Sequence, residues 1–208
     1  MSDAQDAPQI YLITPPEFDL SSFPDTLAAC LDHVEVGCVR LALSTKDEQR
    51  VAKAADALRE VTHARDVALV IDSHVMLVER LGLDGVHLPD GARSVKKSRK
   101  TLGDDAIVGS YCTNSRHDGM TAGELGADYV SFGPIGVTPL GDGRQAELAL
   151  FEWWSLMIEV PVVAEGALDA DLIRNLAPHT DFFGIGEEIW AHDAPASALQ
   201  AFHAAMRG

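Results

Sequence analysis

Basic residues are scarce in this sequence. Its 208 residues include 16 Lys and Arg against 32 Asp and Glu, which gives a formal net charge of −16. A surface with this charge repels nucleic-acid phosphates and anionic lipid headgroups. We therefore expect no nucleic-acid partner and no membrane partner, and an anionic ligand would need a local positive site.

Cysteines and long apolar runs are lacking as well. Cys30, Cys38 and Cys112 are an odd number of thiols without CxxC spacing, which argues against a disulfide framework and a zinc knuckle. The apolar runs are far shorter than the roughly 20 residues that span a bilayer. The first residues, MSDAQD, are acidic and polar, unlike a secretory signal. We expect a cytoplasmic protein with reduced thiols.

The sequence does contain a large apolar fraction and a regular alternation of two patterns. Hydrophobic residues make up 47% of the chain, which is enough for one domain over about 9–206, after a short acidic tail at 1–8. Runs rich in Val, Ile, Leu and Tyr alternate with segments of helical periodicity. The predicted strands are 9–14, 34–41, 67–71, 85–88, 106–109, 129–132, 160–164 and 182–185. The predicted helices are 25–32, 46–63, 75–81, 94–102, 115–125, 148–158, 170–176 and 196–206.

Eight alternating units predict an α/β fold with parallel strands joined by crossover helices. A single (β/α)8 TIM barrel needs this number of units, whereas an open doubly wound sheet has the same local pattern and is the alternative. We predict the barrel, because no linker interrupts the alternation. In a barrel the functional side chains lie at the C-terminal ends of the strands.

Polar residues and glycines follow several predicted strands at that end. Asp72, Asp90 and Ser110 come after the third, fourth and fifth strands, and an irregular segment at 133–147 follows the sixth. Irregular loops of that length are often functional. In barrels the loops after the last two strands commonly hold phosphate through backbone N–H groups. The residues predicted to bind phosphate here are Gly166, Ala167 and Gly186.

Four segments form an ordered series along the chain: YLIT at 11–14, GLDGVHL at 82–88, GADYVSFGPI at 126–135 and PVVA at 161–164. Together they resemble the thiamine-phosphate synthase family and its thiazole tautomerase (TenI-like) relatives. One such string occurs in many barrels, but the ordered series is specific. The resemblance covers residues 11–189, and it implies the barrel fold, a role in thiamine biosynthesis and a phosphorylated heterocycle as the ligand.

Members of that family join a pyrimidine-methyl diphosphate to a thiazole phosphate and use Mg²⁺ to neutralise the departing pyrophosphate. By this resemblance the positions of the metal-binding carboxylates fall on Ser73 and Ala92, neither of which is a carboxylate. Magnesium prefers hard oxygen ligands. Asp72 and Asp90, one and two positions away, are therefore the remaining candidates for binding Mg²⁺.

Other functional positions of the family are also replaced. The Gln-x-Arg pair of the second strand corresponds to Arg40 and Ala42, so one guanidinium remains, two positions earlier. The Lys of the loop after the sixth strand falls on Gly141, and the His that the tautomerase branch uses falls on Thr113. Thr138 is the retained contact of the thiazole-phosphate loop.

Two glutamates adjoin the predicted phosphate loops at positions where the family has uncharged residues. Glu165 precedes Gly166, and Glu187 follows Gly186. A carboxylate close to a phosphate repels it unless a cation intervenes, so we expect weakened phosphate binding. The alternative is that Arg40 pairs with Glu165 across the barrel mouth as a structural ion pair.

Three further features have both a functional and a structural interpretation. His87 is either a ligand contact or a hydrogen-bonded core residue. Cys112 has no partner that would activate it, so we expect an unreactive thiol. Trp153 and Trp154 lie on a helix outside the barrel, which indicates packing or a contact in a homo-oligomer.

Two hypotheses about function follow. The first is a thiamine-phosphate synthase or TenI-like enzyme with impaired chemistry. The second is a non-catalytic or divergent small-molecule-binding barrel that has lost the magnesium–pyrophosphate site. The fold cannot distinguish them, because function depends on the site. The side chains predicted to bind substrate are Arg40, Asp72, His87, Ser110 and Thr138.

Overall fold

Eight parallel strands close into a barrel in the computed structural model, which describes residues 7–138 and 143–207 of the chain. The strands are β1 (Gln9–Ile13), β2 (Val36–Leu41), β3 (Ala68–Asp72), β4 (Gly85–Leu88), β5 (Ile107–Tyr111), β6 (Tyr129–Phe132), β7 (Val162–Glu165) and β8 (Phe182–Ile185). The helices are α1 (Phe23–His33), α2 (Glu48–His63), α3 (Val75–Leu81), α4 (Val95–Leu102), α5 (Arg116–Glu124), α6 (Leu148–Met157), α7 (Ala170–Leu176), α8 (Glu187–Trp190) and α9 (Pro195–Met206), with short 3₁₀ turns at Gly91–Arg93 and Ala177–His179.

The pairing of β1 with β8 decides between the two predicted folds. Gln9 lies opposite Phe182 and Leu12 lies opposite Ile185 in a parallel ladder, so the last strand pairs with the first. This closure confirms the single (β/α)8 barrel, and the open doubly wound sheet is wrong.

Aspartates at the N-terminal ends of alternate strands tie neighbouring strands together. The carboxylates of Asp84, Asp128 and Asp181 accept backbone N–H bonds of 2.7, 2.7 and 2.8 Å from the strand that precedes each of them. Asp84 belongs to the segment GLDGVHL and Asp128 to GADYVSFGPI. These two residues therefore stabilise the end of the barrel opposite to the expected site.

Helix ends follow from local side-chain chemistry. The Asp47 side chain accepts the backbone N–H groups of Gln49 and Arg50 at the start of α2. Asp169 does the same at the start of α7. Such caps satisfy donors that the first turn of a helix leaves free. Gly82 ends α3 in the left-handed conformation that glycine adopts without strain.

Apolar residues form two layers, one inside the barrel and one between the strands and the helices. The inner layer is small and includes two tyrosines, Tyr11 and Tyr129. Trp154 belongs to the outer layer, where its ring meets Phe132 edge-on with 5.0 Å between the centroids. Trp153 is partly buried, and the guanidinium of Arg116 lies 4.7 Å from its ring centroid. The role of Trp154 is therefore packing between the barrel and its helices.

Three strands extend further toward the C-terminal end than the sequence predicts. β3, β5 and β7 end at Asp72, Tyr111 and Glu165 instead of at residues 71, 109 and 164. The reason is that the ladder continues past the apolar run into polar residues. The ladder partners of these three residues are His87, Ser131 and Gly184. The short helix α8 was not predicted.

Some sequence predictions lie outside the described residues, namely residues 1–6 of the acidic tail and Gly141. Within the part of the chain that the structure describes, none of the helices combines the length and the apolarity needed to cross a bilayer.

Candidate functional site

A cavity of about 390 Å³ opens at the C-terminal ends of the strands. Its floor includes Arg40 from β2 and Glu165 from β7, and its walls come from the loops that follow β1, β6, β7 and β8. This is the end of the barrel where ligands bind in proteins of this fold. The described residues that line it are Ile13, Thr14, Pro16, Arg40, Ala42, Tyr111, Pro134, Thr138, Glu165, Gly166, Ala167, Gly184, Gly186, Glu187 and Glu188.

The Arg40 guanidinium is already surrounded by partners from three other strands. Its Nη1 donates to Oε2 of Glu165 at 2.8 Å, and the same nitrogen lies 3.0 Å from Nε2 of His87. Its Nε lies 3.4 Å from Oδ1 of Asp72. The ion pair between Arg40 and Glu165 that the sequence suggests is therefore present. Its positive charge is shared by two carboxylates.

Burial sets the protonation of these groups. Burial raises the pKa of Asp72 to about 6, although the nearby Arg40 opposes that rise. Burial acts to lower the pKa of Arg40, but Glu165 and Asp72 outweigh it, and the net pKa lies above the ordinary value. The guanidinium therefore stays charged, while Asp72 takes up a proton in weakly acidic solution.

Glu165 fits its place because β8 carries a glycine beside it. A Cβ added to Gly184 would lie 2.7 Å from the Cβ of Glu165, closer than real side chains approach. Glu165 itself is only 8% exposed. A buried carboxylate needs a counter-charge or several hydrogen bonds, and Arg40 supplies the counter-charge together with one hydrogen bond.

A chain of hydrogen bonds runs from Arg40 into the barrel interior. Nδ1 of His87 lies 2.9 Å from the Tyr129 hydroxyl, which lies 2.5 Å from the Tyr11 hydroxyl. Because Arg40 can only donate, Nε2 of His87 accepts, and Nδ1 carries the proton toward Tyr129. Burial, with help from Arg40, lowers the pKa of His87 far below its ordinary value, so the ring is neutral. This series of hydrogen bonds fixes the position of the Arg40 guanidinium from the inner side of the barrel.

The loops after β7 and β8 present backbone amides that are already bonded to a side chain of this protein. The Leu168 N–H donates to Oε1 of Glu188 at 3.1 Å, and the Gly186 N–H donates to Oε2 of the same carboxylate at 2.8 Å. Gly166 and Ala167 precede Leu168 with φ angles of 93° and 53°. The carboxylate of Glu188 thus joins the two loops.

The structure brings together most of the residues predicted from the sequence. Arg40 and Thr138, with the predicted phosphate loops, line the cavity. Asp72 and His87 contact Arg40 directly at the cavity floor. Both glutamates that the sequence placed near the loops also line the cavity, Glu165 buried and Glu187 exposed. Thr113, in the turn that follows β5, has a left-handed backbone conformation with φ of 52°.

Ser110 and Asp90 lie apart from the cavity lining. Ser110 alternates with Tyr111, so its side chain faces the helices, where its hydroxyl donates to the Gly91 carbonyl at 2.8 Å. Asp90 accepts a 2.6 Å hydrogen bond from the Ser94 hydroxyl. Cys112 is buried, and burial raises the pKa of its thiol to about 11. That thiol is not activated.

Neither of the two candidate metal ligands is among the described residues that line the cavity. Asp72 is paired with the Arg40 guanidinium, and one oxygen of Asp90 is committed to Ser94. Oδ1 of Asp72, which is the oxygen that faces Arg40, and Oδ1 of Asp90 are buried and make no hydrogen bond. Across residues 7–138 and 143–207, no group of three or more His, Cys, Asp or Glu side chains is arranged to hold a metal ion. We therefore assign no step to magnesium.

Sequence reasoning missed three residues of this site. The sequence reasoning gives a role to Glu187 and none to Glu188, although both directly follow Gly186. Tyr129 and Tyr11 were assigned only to strands. The signal for them was the inward alternation of two tyrosines with His87 on neighbouring strands, which places three polar tips in one barrel interior.

Comparison with known proteins gives full-length similarities. Residues 10–184 match the family described as thiamine monophosphate synthase. A thiamine-phosphate synthase from Rhodospirillum centenum is 40% identical over 203 residues, which cover 96% of this chain and 98% of the relative. One from Erythrobacter litoralis is 36% identical over 208 residues, 97% of each chain.

A solved structure shows the same fold at lower identity. The thiamine phosphate pyrophosphorylase from Pyrococcus furiosus has a TM-score of 0.83 at 18% identity, and the match covers 96% of this chain and 95% of its own. At this identity the likeness concerns the fold alone.

Proposed function

The chain belongs to the thiamine monophosphate synthase family, and we propose that its barrel mouth binds the pyrimidine and thiazole compounds of thiamine biosynthesis while the reaction that joins them is impaired. Enzymes of the family act on a pyrimidine diphosphate and a thiazole phosphate. The cavity at the strand ends is the binding site, and Thr14, Tyr111 and Thr138 supply polar contacts at its walls.

The observation that supports impaired chemistry is the state of Arg40. Diphosphate departure leaves several negative charges that a catalyst must stabilise with cations placed in advance. Arg40 is the only Lys or Arg among the described residues that line the cavity. Its charge is neutralised by Glu165 at 2.8 Å and by Asp72 at 3.4 Å. An incoming diphosphate would have to compete with both carboxylates.

Turnover and binding are measured separately to test this proposal. We expect native protein supplied with Mg²⁺ and both substrates to turn over below roughly 0.1 s⁻¹, under the ordinary range of enzymes. In a thermal-shift screen, a thiazole or pyrimidine compound at 100 times its dissociation constant should stabilise the protein by about 2.7 kcal/mol. Both substrates, their dephosphorylated forms and thiamine are screened.

Glu165→Gln gives the sharper test, because the amide keeps a hydrogen-bond acceptor for Arg40 and removes the competing charge. We expect this variant to bind the pyrimidine diphosphate more tightly than native protein does. The matched control is Glu152→Gln, which makes the same charge change at an exposed position of α6. Equal affinities in native protein and Glu165→Gln would contradict the role of the ion pair.

Two results would overturn the proposal. Turnover near or above roughly 0.1 s⁻¹ in native protein would mean that the mouth carries out full synthase chemistry. If no pyrimidine or thiazole compound stabilised the protein, the ligand class itself would be wrong.

A further inference from the structure

Glu188 occupies the place where barrels of this kind hold a phosphate. Two backbone N–H groups, one after β7 and one at the end of β8, commonly converge on a phosphate in such folds. Here Leu168 and Gly186 donate these two groups to the two oxygens of Glu188, at 3.1 and 2.8 Å. One anion of this chain therefore takes both donors.

Helix capping explains only half of this arrangement. A glutamate in the first turn of a helix often accepts the N–H of the residue before the helix, and the bond from Gly186 to Glu188 is of that type. The other oxygen reaches Leu168, 20 residues earlier in the chain and on a different loop. Ala167, directly before Leu168, has a left-handed φ of 53°, a conformation that is unfavourable for a residue with a side chain.

The surrounding charges also disfavour a phosphate. Glu165 and Glu187 line the same cavity as Glu188. Among the described lining residues the one basic side chain is Arg40, which is already paired. A phosphate ester near these loops would meet several carboxylates and find its two amide donors occupied. A hydroxyl group, by contrast, can donate a hydrogen bond to a carboxylate.

We propose that Glu188 is a specificity-determining residue that occupies the Leu168 and Gly186 amides of the two phosphate loops, so that the mouth takes the thiazole compound as its free alcohol in place of the phosphate ester. This inference rests on the proposed function for the identity of the heterocycle. The occupation of the amides by Glu188 is independent of it. The experiment therefore has one arm without any heterocycle and one arm with it.

The first arm uses inorganic phosphate and the amide resonances of Leu168 and Gly186 in ¹⁵N-labelled protein. In native protein we expect both resonances to stay unmoved by phosphate. In Glu188→Ala they should shift in a saturable way, because the donors are free. Glu187→Gln is the matched control: it removes one charge from the same helix without freeing either amide, so its resonances should behave as in native protein. Saturable shifts of both resonances in native protein would overturn the role of Glu188.

The second arm compares hydroxyethylthiazole with its phosphate by calorimetric titration. Native protein should bind the alcohol at least about tenfold more tightly, a difference of about 1.4 kcal/mol, and Glu188→Ala should reverse the preference. If Glu188→Ala does not fold, Glu188→Gln keeps the volume and one acceptor, and its preference should lie between the two. Tighter binding of the phosphate by native protein would overturn the substrate assignment.

The two arms separate the possible failures. If phosphate shifts the amides only in Glu188→Ala and no thiazole compound binds either protein, the proposed function is wrong and the alcohol assignment falls with it. If the alcohol and its phosphate bind native protein equally and Glu188→Ala changes neither, Glu188 does not determine specificity, although the proposed function stands.

Discussion

Replacing Arg40 and Glu165 singly and together tests the ion pair that dominates the floor of the cavity. At the observed 2.8 Å and an effective dielectric constant of about 20, their attraction is about 6 kcal/mol, much of which is offset by desolvation of both groups. Removing one partner of a buried pair leaves the other charge uncompensated and costs about 3–5 kcal/mol. We therefore expect Arg40→Met to lose about 3–5 kcal/mol of unfolding free energy.

The effect of Glu165→Gln on the free energy of unfolding should have opposite signs in native protein and in Arg40→Met. In native protein it weakens the pair and should cost about 1–3 kcal/mol, since the amide still accepts a hydrogen bond and Asp72 still faces Arg40. In Arg40→Met the same substitution removes a buried charge that lacks a counter-ion, so it should stabilise that variant. Together these values predict a coupling free energy of about 2–4 kcal/mol.

The assay is urea unfolding of native protein, both single variants and the double variant at pH 8, where Asp72 is ionised. The matched control is the exposed pair Arg80 and Glu48, joined at 3.0 Å. The cycle Arg80→Met with Glu48→Gln should show no change of sign, because water screens both charges. The reasoning about Arg40 is refuted if its two single variants are additive to within about 0.5 kcal/mol.

Three further predictions test other parts of the site. Burial raises the pKa of Asp72 to about 6, whereas in the unfolded chain its pKa is about 3.9. Native protein should therefore lose up to about 3 kcal/mol of stability relative to Asp72→Asn as the pH rises from 4 to 7. Urea unfolding across that pH range checks this, and a difference in unfolding free energy between the two proteins that does not change with pH contradicts it. Tyr129→Phe should cost about 1–3 kcal/mol and more than Tyr11→Phe, because the Tyr129 hydroxyl bonds both His87 and Tyr11; equal melting temperatures would argue against the chain. Ser110→Ala should lower the free energy of unfolding by about 1 kcal/mol, because it loses the hydrogen bond to a backbone carbonyl. Ligand affinity measured by calorimetry should stay unchanged. Weakened ligand binding would show that the hydroxyl belongs to the site.

Arg40 and its partners show how the depth of a charged residue in the barrel decides which groups it meets. Side chains two residues apart on a strand share a face, so Arg40 points into the same barrel as the position taken by Ala42, only deeper. At that depth it meets His87 and Glu165. The result is a guanidinium that organises the cavity floor and is neutralised before any ligand arrives.

The alternation of apolar runs and helical segments determined the fold class from the sequence alone. Periodicities of two and 3.6 residues are local properties, and eight repeats of the pair limit the chain to few architectures. The resemblance of four ordered segments gave the family. The sequence did not determine closure, because hydrogen bonds between β1 and β8 join residues more than 170 positions apart and leave no local signal.

The contents of the site were only partly predictable for the same reason. Asp72, Tyr111 and Glu165 end their strands because neighbouring strands continue to pair with them, and a residue's position in a ladder depends on its partner. Glu187 and Glu188 are equivalent in sequence, but successive helical residues differ in direction by about 100°. Only the folded barrel, which brings Leu168 next to α8, decided that Glu188 and not Glu187 reaches the amides.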